Sequence, residues 1–178
     1  MKYMLMLFEP DTDWEAAPPA ELKAALDGCR VALRGGAHRA PRRTAPGRAG
    51  RYLLQAAISA VHAEAASVET TDWRQIVALY DTLIAVQPSP VAALGRAVAI
   101  GMADGPAEGL RAIDQLAGDP RLAGYHRLPA ARAELPRRLG DHKTAAEAYR
   151  QAAQLAGNDV ERAYLADRAA ASEGRPGG

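Results

Sequence analysis

At 178 residues and a net charge of +1, the chain has the size of one domain, or of a modest domain with an added fragment, and no global electrostatic pull toward nucleic acid or membrane. Its residues are 48% hydrophobic but only 5% aromatic, and the alanine-rich remainder favours closely packed helices over a bulky core. The single cysteine, Cys29, excludes an internal disulfide and a cysteine-based zinc site; it fits a reducing cytoplasm and reads as a small apolar helix residue.

Residues 3–8 of the opening MKYMLMLFEP form a continuous apolar run that ends at Glu9-Pro10, the pattern of a buried strand. The run lacks the length and cleavage site of a signal peptide, and Glu9, Asp11 and Asp13 follow at once. No stretch approaches the roughly 20 apolar residues that cross a bilayer, so a cytoplasmic protein without membrane contact is expected. After Pro18-Pro19, Leu22, Ala25, Leu26, Cys29 and Leu33 fall on one face of a helix. One strand and one helix over residues 1–34 cannot close a sheet core. This fragment is therefore expected to lean on the rest of the chain, or to pair with a second copy through its strand. Asp11, Asp13 and Glu15 alternate as calcium ligands do, but the glycine and closing glutamate of such a loop are missing, and the segment reads as an acidic turn.

Residues 35–51 are rich in Gly, Pro and Arg, with no acid between Asp27 and Glu64, and read as a flexible basic linker. The alternative is a weak electrostatic contact with nucleic acid through Arg39, Arg42, Arg43 and Arg48. No aromatic residue interleaves these arginines, so a base-stacking surface is not supported.

From residue 52 to 173 the chain reads as helix after helix, followed by a short tail at 174–178. Ser89-Pro90 is an N-cap with proline at the first helical position. Asp72 to Gln75 and Asn158 to Glu161 have capping-box spacing. Gly105-Pro106 and Gly140-Asp141 break one helix from the next. The spacing predicts helices near 52–66, 73–86, 90–103, 106–117, 125–139, 142–156 and 158–172, with a kink at Pro136.

Thr71, Gly105 and Gly140 precede every second helix at spacings of 34 and 35 residues. Downstream, Ile76, Leu110 and Ala145 share a register, as do Leu79, Ile113 and Ala148, and Leu83, Ala117 and Ala152. Ile100 with Leu135 and Val98 with Ala133 align one helix upstream. A period near 34 with two antiparallel helices per unit is the signature of the tetratricopeptide repeat (TPR). The expected fold is thus all-α, a TPR-like right-handed stack of antiparallel helix pairs with a short N-terminal strand-helix fragment. The last unit matches best, with Gly140-Asp141 at the turn, Ala145 and Ala152 as small packing residues and Tyr149 as the aromatic. Tyr80 takes the aromatic place in the first unit and Asp114 in the second. The first helices of such pairs line a concave groove that holds a partner. The register places Arg127, Glu134 and Arg138 on that face, with Arg96 and His62 nearby.

Chemistry-bearing motifs are missing. His38, His62, His126 and His142 lie in separate elements without metal-ligand spacing, and there is no Walker A, GxGxxG or GxSxG motif. A non-catalytic protein without metal or cofactor is expected.

Two resemblances sharpen this reading. VHAEA, the DWxxIxxLYD pattern of DWRQIVALYD, the run PSPVAALGRAVA and RLAGYHRL resemble the TPR-like C-terminal extension found in a group of extracytoplasmic-function (ECF) sigma factors, over roughly residues 50–172. Gly95 stands where that group has an asparagine before Arg96. The resemblance implies an interaction module that regulates transcription through a protein partner such as RNA polymerase, a sigma factor or a YCII-like protein. The promoter-binding domains that precede the extension in that group have no counterpart here, which leaves a truncated sigma factor with weak DNA contact through the linker as an alternative. The opening MKYMLMLFEPDTDWEAAPPAELKAAL resembles the first strand and helix of the YCII-related (DGPF) family, whose genes often accompany this sigma-factor group. A YCII-related protein with an enzymatic activity is the further alternative this implies.

Overall fold

The structure, a computed structural model, describes residues 48–174. The expected strand at 3–8, the helix that carries Cys29, and the linker arginines Arg39, Arg42 and Arg43 lie outside the described residues. Among the described residues the fold is all-α, with seven α-helices and one short 3-10 helix. They are α1 (Arg48–Glu64), α2 (Trp73–Val86), α3 (Pro90–Ala103), α4 (Pro106–Asp114), α5 (Arg127–Arg138), α6 (His142–Leu155) and α7 (Asp159–Glu173). Two compact units meet in the chain between Ala92 and Ala93.

Side-chain caps set the helix starts. The carboxylate of Asp72 accepts from the Gln75 amide at 3.0 Å, that of Asp141 from Thr144 at 3.0 Å, and the Asn158 side-chain oxygen from Glu161 at 2.8 Å. Each satisfies a first-turn N–H that has no partner within its helix. Pro90 and Pro106 occupy first helical positions, where their fixed φ suits the helix and the missing N–H costs nothing. The first helix begins at Arg48, four residues earlier than the composition of the linker had implied, so Arg48 opens a helix. The connection between α4 and α5 also differs from expectation. Helix α4 stops at Asp114, and a 3-10 helix at Pro120–Leu122, capped by the Asp119 carboxylate, bridges to α5. A single turn held by one Asp-Pro pair has no periodicity to reveal it. Pro136 remains inside α5, in its last turn and buried.

In the first unit the turn between α1 and α2 is stapled locally. The Trp73 indole N–H donates to the Val68 carbonyl at 2.9 Å, and the Thr71 hydroxyl donates to Ser67 at 3.0 Å. His62, near the end of α1, stands edge-on to Trp73 with ring centroids 5.2 Å apart. Burial pushes the His62 imidazole below its usual range.

In the second unit, α5 and α6 are joined by a tight turn. Gly140 adopts φ +80, the Asp141 amide donates to Pro136 and the Gly140 amide to Arg137, the paired bonds of a Schellman cap. Asp141 then caps α6, so one three-residue turn ends a helix and starts the next, which makes the two antiparallel neighbours. Two apolar clusters follow. Leu94, Ala97, Ile113, Ala131 and Leu135 bring together α3, α4 and α5. Ala133, Ala145, Tyr149, Ala152, Ala153, Ala156, Leu165 and Ala169 bring together α5, α6 and α7.

Helices α3 and α4 approach through glycine. A Cβ on Gly109 would lie 2.6 Å from the Gly101 Cα, and a Cβ on Gly101 would lie 2.7 Å from the Leu135 Cδ2. Overpacking at such a contact costs about 1–3 kcal/mol. Gly109→Ala is expected to lower stability by about that amount in urea unfolding, despite the better helix propensity of alanine. Gly118→Ala, at a position with nothing within 4 Å, is expected to leave stability unchanged or slightly raised.

Candidate functional site

Four polar side chains of the second unit converge on one carboxylate. Glu134 lies on α5, one turn before Arg137 and Arg138, so both arginines reach back to it along the helix. Arg137 grips both oxygens, its Nε donating to Oε2 at 3.0 Å and its Nη2 to Oε1. Arg138 Nε donates to Oε1 at a longer 3.4 Å. From α6, the Tyr149 hydroxyl donates to Oε2 at 2.7 Å. From α7, Arg168 Nη2 donates to Oε2 at 3.0 Å and reaches the Tyr149 oxygen at 3.3 Å. The Arg168 guanidinium also sits 5.5 Å from the centroid of the Tyr149 ring. The carboxylate thus accepts five hydrogen bonds from three helices. A carboxylate offers about four lone-pair directions, so its acceptor capacity is used up.

The electrostatics follow from this geometry. Burial alone would push the Glu134 carboxyl up. The hydrogen bonds from Arg137 and Tyr149 and the charges of Arg137 and Arg168 outweigh it and hold the pKa down at about 2. Tyr149 moves the other way. Burial, the adjacent carboxylate charge and the hydrogen bond to Glu134 push it up to about 12, so it stays protonated as a donor. Arg137 is raised by its bidentate hydrogen bonds to Glu134, against the cost of desolvation.

The same two helices meet again further along. His126, the N-cap of α5, places Nε2 3.4 Å from the Glu161 carboxylate in the first turn of α7. His126 precedes Glu161 by 35 residues and Glu134 precedes Arg168 by 34. Two contacts that advance together along both helices mean that α5 and α7 run parallel. On the opposite flank of α5, Arg132 pairs with Asp114 of α4 at 2.9 Å.

Of the residues that the sequence marked for a partner, Glu134 and Arg138 are thus in one cluster. Arg127 lies seven residues before Glu134, about two turns along the same face of α5. Arg96 is half-buried on α3, and His62 belongs to the first unit, against Trp73. Arg48 opens α1, while Arg39, Arg42 and Arg43 fall outside the described residues. The sequence reading missed Arg137 and Arg168. The repeat period held the signal for the second, since Arg168 follows Glu134 by 34 residues. Among the described residues no group of three or more His, Cys, Asp or Glu side chains comes together as a metal site would require, and no helix is long and apolar enough to cross a membrane.

No family model matches the chain. Over 118 residues it is 42% identical to an uncharacterised protein of Rhizobium meliloti (strain 1021), a stretch that makes up 66% of this chain and 27% of that protein. The chain thus spans about a quarter of the length of the curated relative it matches. No solved structure matches.

The depressed pKa makes Glu134 a pH-dependent support. Its folded value of about 2 lies below the ordinary 4.5, so its contribution is complete above roughly pH 6 and is lost as pH falls toward 2. Glu134→Gln is expected to cost on the order of 2 kcal/mol at pH 7, allowing for partial exposure of the side chain. In urea unfolding at a series of pH values, the gap between wild type and Glu134→Gln should close as the pH approaches 2–3. A gap that does not vary with pH would remove the charged carboxylate from its central role.

Proposed function

We propose that the chain is a non-catalytic protein-interaction module of TPR-like helix pairs, related to the regulatory C-terminal domain of an ECF sigma factor and acting in transcription. The observation that carries the repeat reading is a recurring contact offset in the second unit. Gly101 approaches Leu135 34 residues on, Glu134 bonds Arg168 34 residues on, and His126 pairs with Glu161 35 residues on. These offsets equal the period that the sequence shows. Helices one repeat apart packed side by side, with an antiparallel helix between them in the chain, are the arrangement by which TPR units share a core.

The small residues suit the same scheme. Ala145 and Ala152 are wholly buried, and Tyr149, at the aromatic position of the unit, is 4% exposed. The Rhizobium relative supports a module carried within a longer protein, because the matched stretch is only 27% of it. The assignment to transcription rests on the sigma-factor resemblance of residues 50–172, and the partner on the groove that such repeats form.

Size-exclusion chromatography of the purified chain with RNA polymerase, with an intact ECF sigma factor and with a YCII-like protein from the same cell tests this. Co-elution with one of the three is expected, at a micromolar or tighter affinity in a follow-up titration. Failure to associate with any of them would overturn the assignment to transcription.

A further inference from the structure

The face shared by α5 and α7 holds more positive charge than it neutralises. Arg137, Arg138 and Arg168 all turn to Glu134, so three guanidinium groups share one carboxylate. That carboxylate is saturated, while the arginines are not. A guanidinium carries five N–H donors. Toward Glu134 and Tyr149, Arg137 uses two nitrogens, Arg138 one and Arg168 one. The Arg168 Nε–H is sealed from water and has no acceptor. The three side chains are 27%, 36% and 33% exposed, so the cluster is partly desolvated and partly open to solvent. In such a setting an added carboxylate is bound more strongly than at an open surface, because less water competes for the guanidinium.

We propose that this face of the second unit docks an acidic segment of a partner protein, whose carboxylates engage Arg138 first and are held further by the surplus positive charge of Arg137 and Arg168. The inference rests on the interaction-module reading and adds the chemistry of the partner. Charge complementarity selects the occupant. The excess of two positive charges is compact and surrounds a fixed carboxylate, which suits discrete acidic side chains and opposes a continuous phosphate track. The aromatic residue of the cluster, Tyr149, is 4% exposed and offers no platform to a nucleic-acid base. Toward the other end of the same helices the acid Glu161 faces His126.

Fluorescence anisotropy on the full chain tests the proposal, with a fluorescein-labelled oligoglutamate, an oligolysine and a DNA duplex as probes. The oligoglutamate should bind, and its affinity should fall as salt rises. Arg138→Glu should weaken it by about tenfold, and Arg138→Gln by less, with thermal midpoints close to wild type. Arg111→Glu makes the same charge change at an exposed position on α4 and should have little effect. Equal loss in Arg138→Glu and Arg111→Glu, oligoglutamate binding no tighter than oligolysine binding, or preference for the DNA duplex would overturn it. A partner found by co-elution that binds wild type and Arg138→Glu equally would overturn the acidic-segment inference and leave the interaction module standing. Absence of any co-eluting partner would instead count against the assignment to transcription.

Discussion

The second unit depends on the Glu134 carboxylate because the apolar packing around it is made largely of alanine. Ala133, Ala145, Ala152, Ala153, Ala156 and Ala169 bring α5, α6 and α7 close together. Each alanine removes little apolar area from water, and at about 25 cal/mol per Å² such a cluster yields modest stabilisation per residue. Small side chains also interlock weakly, so helices packed on them can slide or rotate with little penalty. The bonds from Arg137, Tyr149 and Arg168 to Glu134 are directional, and they fix the relative register of three helices at one point. A network of this kind is stabilising only while every member has its partner, which is why losing the central charge affects all three helices.

The same saturation bears on function. Glu134 has no acceptor capacity left for a partner, so its contribution to any docking is to hold arginines in place. Arg137 is locked by a bidentate grip, Arg168 is spread between Glu134 and Tyr149, and Arg138 has the longest bond of the set. Freedom to respond to a ligand therefore increases in the order in which these arginines are released from the carboxylate. Fixed, partly desolvated guanidinium groups lose less entropy on binding than mobile ones at an open surface. The alanine packing brings the helices near enough for one carboxylate to serve all three.

Local chemistry made most of the helices legible in the sequence. Asp72, Asp141 and Asn158 mark starts because a short polar side chain can bond an amide three residues on, and Gly140 marks an end because its backbone takes a positive φ. The register of Ile76, Leu79 and Leu83 on α2, all buried, follows from helical period alone. Less of α4 and its connection to α5 was legible. The residues 115–117 have helical propensity, yet the chain leaves the α-helix at Asp114 through three-residue bonds from Leu116, Ala117 and Asp119 and re-forms a single 3-10 turn at Asp119-Pro120, a step too short for periodicity to mark.

What the sequence determined by itself was therefore local or periodic: the helices, their caps, and the spacing near 34 that recurs between alternate helices. Tertiary structure decided what the charged residues of that pattern do. Glu134 and Arg138 share an exposed-looking face by helical spacing, but only the folded unit shows that Tyr149 and Arg168 arrive from two other helices to close around the carboxylate. Spacing reports which side of a helix a residue occupies. Whether that side meets solvent or a neighbouring helix is settled by packing, and burial then determines whether a carboxylate is a free surface charge or, as here, the fixed centre of an ion cluster.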